Sequence, residues 1–218
     1  MYKAIVFDCD GTIIDSSVMI ELIYQGYHRM YPKRKNLPYE YFIKCYFSTT
    51  DEIHRYLEIE ENNKELFHET CFGKNKHIIK NVKPFKNICE VITLLKKQKF
   101  IIGINTSRKK ESWAEVEKQI GSDVFSIFDY VITSDMVKKP KPDPESLKLF
   151  EKESNITLTE TLYIGDSVFD ANCAKTANCD FALANWGIVH STKISANYIL
   201  NTPISLLELL GIENHNML

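Results

Sequence analysis

Asp8 and Asp10 stand one residue apart, directly after the apolar run Ala4-Ile5-Val6-Phe7 and directly before Gly11-Thr12. A carboxylate at the carboxyl end of a buried strand can act as a nucleophile. A second one, a turn further out, can move a proton. Side chains alternate along a strand, but the chain leaves the strand here, so both carboxylates can face one open site. Gly11 permits the sharp turn and lets backbone N–H groups approach an anion. Cys9, between the two acids, is expected to point away from them into the core.

Three further segments share this grammar of an apolar run that ends in polar residues. Ile101-Ile102-Gly103-Ile104-Asn105 leads into Thr106-Ser107-Arg108. Tyr130-Val131-Ile132-Thr133 is followed by Lys138-Lys139-Pro140-Lys141-Pro142-Asp143-Pro144. Leu162-Tyr163-Ile164 ends in Gly165-Asp166-Ser167, with Asp170 one helical turn later. Phe181-Ala182-Leu183-Ala184 supplies a fifth run. Each run suits a strand buried on both faces, and helical patterns separate them. That alternation predicts an α/β fold with a doubly wound, Rossmann-like parallel sheet. Ligands of such sheets bind beyond the carboxyl ends of the strands, where these polar residues would converge.

In this order the four motifs resemble those of the haloacid dehalogenase-like hydrolase superfamily, and the resemblance runs over nearly the whole chain. It implies that Asp8 attacks phosphorus to form an aspartyl-phosphate and that Asp10 serves as general acid and then general base. It implies a Mg²⁺ held by Asp8, the backbone carbonyl of Asp10 and Asp166, with Asp170 behind them orienting the ligands. Gly11, Thr106, Ser107 and Lys139 would bind the phosphoryl group. Lys139 is chosen over Lys138 and Lys141 by the register Lys-Pro-x-Pro-Asp. Pro140 would help to aim its ammonium. Asp143 and Pro144 read as the N-cap and first residue of a helix. Capping is the bland alternative for Thr106 and Ser107.

Charge counting leads to similar roles. Phosphoryl transfer needs positioning and neutralisation more than covalent help. With Lys139 and one Mg²⁺ set against four carboxylates and a phosphate dianion, the site remains negative. Unit charges ~4 Å apart interact by roughly 4 kcal/mol at an effective dielectric near 20. One carboxyl should therefore hold a proton when substrate is bound, and Asp10, whose acid role needs that proton, is the expected one.

About ninety residues separate Asp10 from Thr106, far more than one βα unit needs. Residues 15–83 are rich in helical patterns, with Met19, Leu22, Ile23, Tyr27 and Met30 at helical spacing and a capping box at Thr49-x-x-Glu52. The domain division expected is a core of residues 1–14 and 84–218 and a small all-helical unit of residues 15–83, inserted after the first strand. The insertion resembles the C1 cap of the phosphoglycolate phosphatase-like branch. Such a cap excludes water and selects substrate. The family's usual Pro-Gly is replaced by Phe85-Lys86-Asn87 after Pro84, and the chain lacks the family's Gly near Phe47-Ser48-Thr49. The aromatic residues of the insert are expected to form mostly its own core. Trp186 is placed beside the site, against either substrate or the neighbouring loop.

The chain has 218 residues and a formal net charge of −2, which gives no sign of nucleic-acid binding. No apolar stretch is long enough to cross a bilayer. Residues 1–14 run straight into the first motif, so a cleaved leader is not expected. The six cysteines show no metal-like spacing and read as reduced thiols of a cytoplasmic protein. The function expected is a Mg²⁺-dependent phosphatase of a small phosphomonoester, acting as a monomer without nucleic-acid or membrane partners. The alternatives are a sugar phosphomutase of the same superfamily and a non-catalytic regulator that binds a phospho-ligand.

Overall fold

A computed structural model describes residues 1–34, 36–46, 48, 50–74, 81–187 and 194–213. Phe47 and Thr49, named above for the cap loop and the capping box, lie outside these. The chain divides into two compact units, Met1–Asp15 with Lys83–Leu218, and Ser16–Val82.

The larger unit is built on six strands: β1 (Ala4–Phe7), β2 (Ile101–Asn105), β3 (Tyr130–Ile132), β4 (Thr161–Gly165), β5 (Asp180–Ala184) and β6 (Tyr198–Leu200). They form one sheet in the order β3-β2-β1-β4-β5-β6, and every pairing is parallel. The doubly wound architecture is as the sequence predicts. β1 and β4 are buried at every position, as the continuous apolar runs require of strands covered on both faces. Helices Glu145–Ser154 and Val168–Ala177 pack their Leu147, Phe150, Cys173 and Ala174 into a core shared with Val6 and Phe181. β6 was not foreseen: it has only three residues at the sheet edge, and its middle residue, Ile199, is exposed. A run that short carries no usable period.

Register is what positions the site. Phe7 lies opposite Ile104 on one side and Ile164 on the other. The residues that follow, Asp8, Asn105 and Gly165, therefore leave three adjacent strands side by side, and Thr106 and Asp166 come next.

The smaller unit holds only helical elements among its described residues: Val18–Met30, Tyr39–Tyr46, Thr50–Tyr56, a 3-10 turn at Glu61–Asn63, Lys64–His68 and a π-helical turn at Glu69–Gly73. Helix Val18–Met30 buries Ile20, Leu22, Ile23, Gly26 and Tyr27, so the inward face is centred slightly off the predicted stripe, and Met19 and Met30 are only half-buried. Gly26 is required by close approach, since a Cβ there would lie 2.3 Å from Cys71 Sγ. Phe42 sits edge-on to Tyr24 and to Tyr27, which gives the unit the aromatic core expected of it.

Gly103 in β2 is the tightest point of the core beneath the site, because a Cβ would lie 2.5 Å from the Phe150 ring. Phe150 is itself fully buried and cannot swing out. Gly103→Ala is expected to cost about 1–3 kcal/mol as an overpacking change, read as a lowered midpoint in urea without a change of slope.

Candidate active site

Asp8 follows β1 and is anchored by its own N–H, which donates to the Ile164 carbonyl at 2.8 Å. Its carboxylate accepts a hydrogen bond from Lys141 Nζ at 2.7 Å. The same ammonium donates to Asp170 Oδ1 at 2.7 Å, and to the Asn105 carbonyl and Tyr163 hydroxyl at 3.2 Å each. Both ion pairs are buried, with Lys141 only 5% exposed.

The lysine of the site is thus Lys141, and the assignment to Lys139 is corrected. Two Lys-Pro-x-Pro registers overlap here, one beginning at Lys139 and one at Lys141, and the fold uses the second. Glu145, the first residue of its helix, accepts the backbone N–H groups of Lys138 and Lys139 at 2.9 Å each. That grip leaves Lys139 exposed and lets the chain deliver Lys141 inward. The adjoining cap also differs from expectation: Pro144 is the capping residue, and Asp143, one position earlier, accepts the Glu145 N–H at 3.1 Å.

Asp170 is the best-satisfied carboxylate of the group. With Ser167 it closes a capping box at the start of helix Val168–Ala177, and its Oδ1 also receives the Tyr163 hydroxyl. Gly165 leaves room for it, since a Cβ there would fall 2.6 Å from the Asp170 carboxyl carbon. Asp166 is the opposite case. It is buried, and its Oδ2 has no hydrogen-bond partner. Ligand atoms of Asp8, Asp166 and Asp170 all lie within 4.8 Å of one another.

These environments divide the proton affinities. Burial raises Asp8 against the pull of Lys141, with Asp170 adding repulsion, and the net result is a pKa pushed up to about 7. Burial, with Asp8 and Asp170 as like-charged neighbours, lifts Asp166 well above the ordinary carboxylate range. Asp170 resists the same burial because Lys141, Ser167 and Tyr163 hold its charged form, so its pKa falls. Burial opposes the charge on Lys141, but Asp170 and Asp8 outweigh it and keep the ammonium protonated. A buried acidic trio with one orphaned oxygen and a single shared ammonium suits a hard divalent cation bound through oxygen.

Asp10 turns to a different partner. Its two carboxylate oxygens accept Arg108 Nη2–H at 2.8 Å and Nε–H at 2.7 Å. Neither Arg108 nor Tyr163 was recognised from the sequence as part of the site. A tyrosine in the middle of an otherwise apolar buried strand was the available signal, because its hydroxyl must find a partner. Arg108 carried no comparable signal, and it changes the charge count by adding a second cation beside the carboxylates.

The remaining predicted residues fall as follows. Thr106 is buried, and its Oγ1 accepts the Arg108 N–H at 3.1 Å. Ser107 is exposed on the same loop. Gly11 has a positive φ of 79°, as the turn demands. Its N–H, however, donates to the Ile14 carbonyl at 2.9 Å, so it shapes the loop rather than offering a donor to an anion. Cys9 is fully buried, and burial pushes its thiol pKa up. Trp186 packs on the neighbouring loop, its indole N–H donating to the Thr12 carbonyl at 3.1 Å.

Residues 5–184 match the model of the family described as haloacid dehalogenase-like hydrolase. The chain belongs to this family. It is similar to the pyrophosphatase PpaX of Bacillus velezensis, at 28% identity over 96% of this chain and 97% of that protein. It is also similar to the phosphoglycolate phosphatase of Aquifex aeolicus, at 28% identity over 98% of each. Among solved structures, a haloacid dehalogenase-like family hydrolase from Streptococcus pneumoniae shares the fold, with a TM-score of 0.77 at 16% identity over 96% of this chain and 98% of that one.

The orphaned Asp166 makes a stability prediction. Asp8 and Asp166 hold protons in the folded chain that the unfolded chain has already released near pH 4. Their contribution is therefore greatest at low pH and is lost as pH rises toward and through about 7. In EDTA at pH 8, Asp166→Asn should raise the melting temperature by several degrees, about 2–4 °C for each kcal/mol relieved. Scanning calorimetry at pH 5 and pH 8 checks this, and the gain should shrink at the lower pH.

Proposed function

We propose that the protein is a Mg²⁺-dependent phosphatase that hydrolyses small phosphate esters through an aspartyl-phosphate on Asp8. The observation that carries this reading is the setting of Asp8: a buried carboxylate at the end of the central strand, gripped on one oxygen by Lys141. A side chain so held presents one face to an incoming phosphorus atom and has little freedom to turn away.

Lys141 aligns Asp8 and supplies fixed positive charge where charge builds on the transferring group. Asp170, Tyr163 and the Asn105 carbonyl hold that ammonium in place. Mg²⁺, held by Asp8, Asp166 and the Asp10 carbonyl, would supply the neutralising charge that a phosphate dianion needs beside these carboxylates. Asp10 gives its proton to the leaving oxygen, becomes a carboxylate, and then takes a proton from the water that attacks the aspartyl-phosphate. Thr106, on the loop after β2, is assigned to the phosphoryl oxygens. The helical unit Ser16–Val82 is assigned the role of the family's cap, with substrate selection as its task. A cytoplasmic location and a monomeric state complete this reading.

The named relatives narrow the substrates to test. Pyrophosphate and phosphoglycolate head the panel, because proteins similar along the full chain are named for each.

The first assay is release of p-nitrophenol from p-nitrophenyl phosphate. Turnover should require Mg²⁺, stop in EDTA and vanish in Asp8→Asn. Removal of Lys141 as Lys141→Ala should lower kcat by about 10²–10³, the usual cost of losing one preorganised donor. Lys139→Ala should stay within about two-fold of wild type, as surface changes away from such features do. Equal effects of the two lysine changes would count against the site as described.

A further inference from the structure

Arg108 pairs with Asp10, whereas Asp8 and Asp170 share Lys141. The Arg108 guanidinium is fixed on three sides. Nε–H and Nη2–H grip both oxygens of Asp10, and Nη1–H donates to the Ser112 carbonyl at 3.3 Å. The backbone is held as well: Arg108 N–H donates to Thr106 Oγ1, and the Arg108 carbonyl accepts from Ser134 N–H at 2.9 Å. The side chain is 18% exposed, and the Asp10 side chain is 35% exposed. An arginine tied down this thoroughly is an anchor for the carboxylate rather than a wandering surface charge.

We propose that Arg108 is a positioning residue for Asp10, fixing its rotamer and holding the carboxylate that the first proton transfer leaves and the second one uses. The inference rests on the acid–base role assigned to Asp10 above. A carboxylate that accepts the fork on both oxygens has no proton to give. The protonated form keeps one bond to Arg108 and turns its O–H toward the leaving oxygen. In the first step an Asp8 carboxylate oxygen bonds to phosphorus as the bond from phosphorus to the leaving oxygen breaks, and that bond's electron pair stays on the leaving oxygen. That oxygen takes the Asp10 proton, and both guanidinium N–H groups close on the new carboxylate. In the second step water attacks phosphorus, the Asp8–phosphate bond breaks, and the water's proton passes to Asp10, which releases one arm of the fork. Arg108 never touches the substrate in this scheme. It acts through the geometry and charge of Asp10.

The test is kcat/KM for two phosphate monoesters that differ in their need for an acid. An alkyl phosphate has a poor leaving group and requires protonation, whereas 2,4-dinitrophenyl phosphate does not. Wild type, Asp10→Asn, Arg108→Ala and Arg108→Lys are compared with Mg²⁺ present, with a melting curve for each. Asp10→Asn should lose about 10²–10⁴ on the alkyl ester and little on the dinitrophenyl ester. Arg108→Ala should show the same selective loss in kcat at about 10- to 100-fold, partly restored by added guanidinium. Arg108→Lys, which keeps the charge but not the fork, should fall between Arg108→Ala and wild type.

Equal loss on both esters would reduce Arg108 to a structural role and overturn the proposal. A raised KM at unchanged kcat would make it a substrate-binding residue instead, and a faster variant would make it a brake. Both results overturn the proposal. If Asp10→Asn shows the selective loss and Arg108→Ala does not, the positioning role alone fails. If Asp10→Asn shows none, the acid–base assignment of Asp10 fails with it.

Discussion

Burial of the Lys141 ammonium between the Asp8 and Asp170 carboxylates is the interaction on which the site depends. A charge taken that far from water is tolerated only when its partners are close and well directed, and removing one member of such a pair costs ~3–5 kcal/mol. Much of the surrounding structure supplies that direction. The capping box fixes Asp170, the Tyr163 hydroxyl and the Asn105 carbonyl share the remaining N–H, and Gly165 clears the space. The helix that carries Asp170 is thereby tied to the strand that carries Asp8. Stability and chemistry use the same atoms here.

The cluster is also deliberately unequal. Asp170 collects four hydrogen-bond contacts from Lys141, Tyr163 and Ser167, while Asp166 has an oxygen with none. One carboxylate is therefore held in its charged form by its partners and another has an oxygen left open, the pattern of a site whose charge is completed by something it binds. Arg108 extends the inequality to Asp10, which is matched with a cation of its own and stays out of the competition for Lys141. The charge balance drawn from the sequence placed a single lysine and one Mg²⁺ against four carboxylates and a phosphate dianion. The Arg108 cation weakens the argument that Asp10 must be protonated whenever substrate is bound. Its protonation becomes a matter of how tightly the fork holds.

The sheet was legible because each strand is a continuous apolar run ended by polar residues, a signal that depends on burial alone. The carboxylates Asp8 and Asp166 were legible for the same reason, since each stands just past the end of such a run, and Asp170 follows Asp166 by one helical turn. The lysine was not. Lys139 and Lys141 sit in overlapping registers of one motif, and only the contact of Glu145 with the preceding backbone decides between them. Arg108 was invisible as a partner of Asp10 because the pair is 98 residues apart in sequence and meets only through the pairing of β1 with β2. That the Gly11 N–H is taken up by the Ile14 carbonyl, closing the turn on itself, could not be read from residue type. Long-range pairing and local hydrogen-bond closure leave little trace in residue type.

The central claim is that Asp8 becomes phosphorylated, and the most direct measurement is to trap that species. Enzyme mixed with a phosphate monoester and Mg²⁺, quenched within milliseconds and reduced with borohydride, converts an acyl-phosphorylated aspartate to homoserine. Peptide mass spectrometry then locates it. The account predicts homoserine at position 8 and none at positions 10, 166 or 170. Substrate turnover with no homoserine at position 8, or with homoserine at another of these carboxylates, would contradict it.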